Sequence, residues 1–95
     1  MAEYLVQMQV NIPPEMPPER LEELRAREKR RGLQLRTEGT IQRVWRVPGR
    51  VANIGYWQAP DATVLHEKIS SLPMFPWLDV TVTALAQHYL EAEDR

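Results

Sequence analysis

The chain has 95 residues, no cysteine, and a net charge of −1 from 12 basic and 13 acidic side chains. That length supports one domain with a thin core, since a domain this small buries only about 60–65% of its unfolded surface. The composition excludes disulfides, thiolate zinc sites and a cysteine nucleophile, and the balanced charge argues against a nucleic-acid partner. Oligomerisation is the remaining common way to bury more apolar surface. No apolar stretch approaches a membrane span, and the opening Met-Ala-Glu-Tyr lacks the regions of a signal peptide. A soluble, cytoplasmic chain without membrane or nucleic-acid partners is expected.

Tyr4, Val6, Met8, Val10 and Ile12 alternate with Leu5, Gln7, Gln9 and Asn11, which predicts a half-buried strand ended by Pro13 and Pro14. A helix is predicted from Pro17 to Glu38, entered through Pro17 and Pro18 and stopped by Gly39. Its apolar stripe is Leu21, Leu24 and Leu35, and Glu28 falls on the same stripe. Gly32 costs about 1 kcal/mol relative to alanine inside a helix and reads as the mark of a close packing contact. Arg25, Arg27, Lys29, Arg30 and Arg31 follow Glu19, Glu22 and Glu23, an order that complements the helix dipole and reads as a solvated face.

Thr40 to Val47 and Arg50 to Gln58 read as two strands joined by Pro48-Gly49. A two-residue loop would pair Val47 with Arg50, Arg46 with Val51, Trp45 with Ala52 and Val44 with Asn53. Arg46 and Asn53 then share one face and Trp45 takes the other. Asp61 is the candidate N-cap of a second helix with the stripe Ala62, Leu65, Ile69 and Leu72. Leu78 to Gln87 reads as the last strand, with Val80 and Val82 inward, and residues from about 90 to 95 as a solvated acidic tail on a single domain of residues 1–95. The order is the split βαβ pattern: an α+β, ferredoxin-like βαββαβ fold, with an antiparallel four-stranded sheet and both helices on one face. The other face needs a cover, so an oligomer is expected.

A carboxylate aimed at a poorly hydrated space acquires a raised pKa, which suits a general base or acid. Glu28 is placed for that, or it bends out at the stripe's rim to pair with Arg25 or Arg31. The two histidines, His66 and His88, show no metal-ligand spacing. Ser70 and Ser71 lack a nucleophile-elbow setting, and four scattered glycines make no phosphate loop. An enzyme built from this inventory would work without metal, nucleotide or flavin, and proton transfer beside a carbonyl fits it. His66 lies on the flank of the second stripe and reads as a helix residue or a functional one. Arg46 beside Asn53 is either a carboxylate-holding pair or a surface cross-strand pair. Trp45, Trp57 and Trp77 read as core or interface residues. In Leu72-Pro73-Met74-Phe75-Pro76-Trp77 two prolines bracket an apolar pair; Pro76 biases Phe75 to extended geometry, and the stiff loop suits a pocket wall or a subunit contact.

Glu28-Lys29, Glu38-Gly39-Thr40, Trp45-Arg46, Gly49, Ala52-Asn53, Leu65-His66 and the run from Leu72 to Asp79 together resemble the muconolactone isomerase family. The resemblance covers nearly the whole chain. Its most specific part is the Leu72–Trp77 run, where the family usually shows Leu-Pro-Leu-Phe-Pro-Tyr. It implies a ferredoxin-like fold, a ring-like homo-oligomer (a decamer) and an isomerase without cofactor or metal, acting in catechol breakdown through the β-ketoadipate route. The reaction it implies moves the double bond of an unsaturated lactone. A proton leaves the γ ring carbon and returns at the α carbon, giving 3-oxoadipate enol-lactone. On that chemistry Glu28 is the proton carrier, Asn53, His66 or Lys29 donates to the dienolate, and Arg46 holds the carboxymethyl group. Trp45 and Phe75 are further substrate-binding candidates. The chain departs from the family at Val51, where an aromatic is frequent, at Gln42-Arg43, and at Tyr89, where proline is common. A methyl- or chloro-substituted lactone, a dehalogenating or monooxygenase-like relative, and a non-catalytic binding or assembly module stay open as alternatives.

Overall fold

The computed structural model describes residues 1–93. Strand β1 (Ala2–Val10) is followed by helix α1 (Pro18–Thr37), strands β2 (Ile41–Arg46) and β3 (Ala52–Ala59), helix α2 (Ala62–Ser70), one 3-10 turn (Phe75–Trp77), strand β4 (Leu78–Leu85) and a short helix α3 (Tyr89–Glu93). The strands form one sheet in the order β2-β3-β1-β4, and every neighbouring pair is antiparallel. This is the ferredoxin-like α+β arrangement. The last expected segment forms α3 as far as Glu93 instead of a plain tail, and Asp94 and Arg95 lie outside the described residues.

The period-two pattern of β1 decides which face is inside. Tyr4, Val6 and Met8 are buried and lie opposite Trp57, Gly55 and Asn53 of β3. On β4, Val82 and Val80 pair with Val6 and Met8 and share that face. Leu35 of α1 and Leu65 and Ile69 of α2 pack with these strand residues, so both helices cover this face. Full burial of a valine or leucine side chain, as at Val6 and Leu35, contributes about 1.5–3 kcal/mol. Leu72 joins the same core from beyond the end of α2. Ile12 lies past β1, where Val10 and Asn11 donate to the carbonyls of Val51 (2.9 Å) and Trp77 (2.8 Å).

The helix ends follow the local signals. Pro18 enters α1 at its first turn, and Gly39 leaves it at φ 88°. The Thr40 amide donates to the Leu35 carbonyl (2.9 Å) and the Gly39 amide to Arg36 (3.1 Å), which is a Schellman motif. Asp61 caps α2 by accepting from the Val64 amide at 2.9 Å. Glu38 ties the end of α1 to Lys68 of α2 at 2.9 Å. That pairing and a hydrogen bond from Thr40 lower the Glu38 pKa.

The β2–β3 hairpin differs from the expected register. Arg50 donates to the Val47 carbonyl (3.2 Å) across Pro48-Gly49, and Gly49 has φ 79°, the arrangement of a type II turn. Pairing resumes only at Ala52, whose carbonyl accepts from the Val47 amide, and Arg46 lies opposite Asn53 rather than Val51. A type II turn splays the strands that leave it, so Arg50 and Val51 are used to bring them back together. The slip is two residues, which preserves side-chain parity. Arg46 and Asn53 therefore still share a face, and pairing with Met8 fixes that face as the one beneath the helices.

No other element covers the opposite face among the described residues. It carries Leu5, Gln7, Ile54 and Tyr56, with the Tyr56 hydroxyl donating to the Glu3 carboxylate and accepting from Gln58 (3.0 Å). The bond to Glu3 raises the Tyr56 pKa. No described helix is long and apolar enough to cross a membrane.

Candidate active site

Glu28 sits on α1 between the buried Leu24 and Leu35, so its side chain is aimed at the sheet. It is half-buried, and its Oε1 accepts a hydrogen bond from the Met74 backbone amide at 2.9 Å. Desolvation raises its pKa above the ordinary 4.5, and the Met74 N–H partly offsets that rise. Neither Arg25 nor Arg31 is its partner; Arg31 donates instead to Ser71 (2.9 Å) and Gln34 (3.2 Å). The basic run is therefore not solely a solvated face.

The Met74 amide is delivered by the Leu72–Trp77 loop. Leu72 and Met74 are buried. The loop closes on itself through Phe75 N–H to the Leu72 carbonyl and Trp77 N–H to the Met74 carbonyl, both 2.9 Å. These bonds put Phe75 into a 3-10 turn instead of the extended geometry expected before Pro76. Pro76 costs no donor there, since the first turn of a helix leaves its amides unused. Arg31 to Ser71, Glu28 to Met74, and the Arg20 guanidinium 5.6 Å from the Trp77 ring centre fix this loop antiparallel to α1.

Two cavities meet at Glu28. The larger, about 460 Å³, is bounded by Glu28, Arg46, Asn53, Trp45, Val51 and Met74. The smaller, about 220 Å³, adds Lys29, Gly32, Leu33, Arg36, Ile41 and Trp57. Met8, Glu28, Val44 and Asn53 border both. One chain thus brings together Glu28, Asn53, Arg46 and Trp45, with Lys29 on the adjoining side. Trp45 alternates with Arg46 along β2, has its ring centre 5.2 Å from the Arg43 guanidinium, and also lines the larger cavity.

His66 and Phe75 lie elsewhere. Their rings meet edge to face at 6.3 Å in a separate apolar hollow with Tyr4, Leu65, Val80 and Val82. The reason is position on α2: His66 follows Leu65 on the flank turned to β4, away from α1. That hollow shares no lining residue with the Glu28 cavities. The sequence alone did not reveal the Met74 amide, Met8 or Val44 at the site. A backbone donor carries no residue signature, and the apolar pair reads simply as core. Among the described residues no group of three His, Asp or Glu side chains could hold a metal ion.

The geometry defines a class first: a small ferredoxin-like α+β protein with a desolvated carboxylate, an amide and a guanidinium around a cavity between its first helix and its sheet. Comparison with known proteins narrows it. The sequence profile of the muconolactone delta-isomerases matches residues 2–91, and the chain belongs to that family. It is 39% identical over 91 residues to muconolactone delta-isomerase 2 of Acinetobacter lwoffii, covering 96% of this chain and 95% of the relative. It is 41% identical over 85 residues to muconolactone delta-isomerase of Cupriavidus pinatubonensis, covering 90% and 92%. A crystal structure of muconolactone isomerase superposes with a TM-score of 0.85 at 35% identity, covering 90% of each chain.

Proposed function

We infer that this chain is an isomerase that converts muconolactone to 3-oxoadipate enol-lactone. Family membership carries the reaction. The observation that supports a place for it is Glu28, half-buried on the Met74 amide in one cavity with Arg46 and Asn53. In the mechanism we propose, the Arg46 guanidinium grips the carboxymethyl group as a bidentate pair. The Glu28 carboxylate removes the γ proton. The electron pair of that C–H bond forms the β,γ double bond, the α,β pair shifts to the α-carbon–carbonyl bond, and the carbonyl π pair moves onto the carbonyl oxygen, leaving a dienolate. Asn53 or Lys29 donates to that oxygen as charge develops. Glu28 then returns the proton to the α carbon on the same ring face. A raised pKa brings this carboxyl closer to the range where one group both takes and gives a proton.

His66 and Phe75 face a different hollow of the same chain, so a part for them in catalysis requires a neighbouring copy. A cytoplasmic homo-oligomer, a decamer as in the family, fits the uncovered sheet face. The deciding experiment follows muconolactone isomerisation by ultraviolet absorbance. Glu28→Gln should lower kcat by about 10²–10⁴, the usual worth of a general base; a rate near wild type would remove Glu28 from the mechanism. Chloride release from a chlorinated lactone separates a dehalogenating activity.

A further inference from the structure

Gly32 stands one helical turn beyond Glu28, and the space beside it is empty. A Cβ built there meets nothing within 4 Å, so no close packing contact explains the glycine. Its φ is not positive either, so backbone conformation does not require it. In mid-helix glycine is about 1 kcal/mol worse than alanine, which leaves a stability cost without a local structural return. What Gly32 does border is the smaller cavity, where Ile41, Val44, Trp57 and Leu72 supply apolar walls and Lys29 and Arg36 stand at the edge.

We propose that Gly32 is the specificity-determining residue of this site, keeping open a subsite that receives a methyl-sized substituent on the lactone ring. This rests on the isomerase reading above. Arg46 borders only the larger cavity, and Lys29 and Gly32 only the smaller, with Glu28 between them. A lactone whose γ-carboxymethyl group meets Arg46 and whose γ C–H meets Glu28 points the rest of its ring away from Arg46. The β carbon adjoins the γ centre and the α carbon lies across the ring from it, and we place one of these two positions against the space beside Gly32. The walls there are apolar, which suits an alkyl substituent, and the carbonyl end lies toward the Lys29 ammonium.

The test compares kcat/KM for unsubstituted muconolactone with that for its α- and β-methyl derivatives, in wild type, Gly32→Ala and Gly32→Leu. Both replacements favour the helix, a Cβ at position 32 meets nothing within 4 Å, and thermal melting verifies that each is folded. The expected result is that wild type accepts at least one methyl lactone. Gly32→Leu then lowers the methyl-to-unsubstituted ratio by about 10-fold or more, the usual worth of a methylene-sized fit, and Gly32→Ala has a smaller effect in the same direction. A ratio unchanged in Gly32→Leu overturns the proposal, and so does a wild type that isomerises muconolactone but neither methyl derivative. If wild type turns over no lactone, the isomerase reading itself fails, a result distinct from either of these.

Discussion

Glu28 combines burial on an apolar stripe with a hydrogen bond from a main-chain donor, and the two act on its proton in opposite directions. Desolvation is the larger, so the folded-state pKa lies above the unfolded value. Between those two values the native state binds more protons than the unfolded chain, so stability falls as pH rises through the window. Above it the cost persists unchanged to neutral pH. Glu28→Gln keeps an oxygen for the Met74 amide and removes the charge. It should therefore melt at or above the wild-type temperature at pH 7, with the gap closing as pH drops to 4.5 and below. A lower melting temperature at pH 7 would mean that the ionised carboxylate is stabilising. The acid limb of kcat/KM should have its midpoint above 4.5 as well, because the base must be ionised to act. Arg46→Lys replaces a planar fork with a point charge. Steady-state kinetics should show KM raised about tenfold with kcat little changed, equivalent to ~1.4 kcal/mol of binding.

Within β3, Gly55 is a requirement of packing. A Cβ there would lie 2.5 Å from Trp57 Nε1 and 2.9 Å from its Cδ1, because the indole folds back over the glycine two residues before it. Trp57 is 3% exposed and packed in the hydrophobic core. Gly55→Ala should cost about 1–3 kcal/mol, as overpacking does, and chemical denaturation would read it. A shift of about 4–8 °C in melting temperature per kcal/mol applies to a domain this size. The sequence shows a glycine inside a strand but not which aromatic lies on it. Other parts were legible. Alternation along β1, the Gly39 stop and the Asp61 cap are set by neighbours in the chain, and each appears where the local pattern places it. The hairpin register was not legible, because the number of residues needed after a type II turn depends on strand twist. Glu28 could be placed inward from spacing, whereas its partner lies 46 positions away on a main-chain amide that any residue except proline supplies.

The molecule is long for its mass. Its radius of gyration is 15.0 Å and its extents are 53 × 27 × 20 Å, against about 12 Å for a compact chain of this length. The excess reflects a single-layer sheet with helices on one side and a C-terminal stretch in which Leu85, Tyr89 and Leu90 are exposed. Leu33, Val44, Trp45 and Val51 are exposed as well, around the Glu28 cavities. We propose that these exposed apolar residues are where copies of the chain associate. Sedimentation at low micromolar concentration should therefore give a mass several times 11.1 kDa. A clean monomer would count against the oligomer and leave the apolar rim without a purpose.

Anchoring the Glu28 carboxyl, our proposed proton carrier, on a main-chain amide has a consequence for descent. Side chain 74 forms part of the cavity wall, and its amide holds Glu28. The two roles belong to different atoms, so mutation can reshape the wall while the anchor is inherited unchanged. A chain with leucine in place of Met74 would retain the same donor. Only proline, which lacks the N–H, is barred. A lineage can thus vary the cavity wall at this position while the hold on Glu28 stays in place.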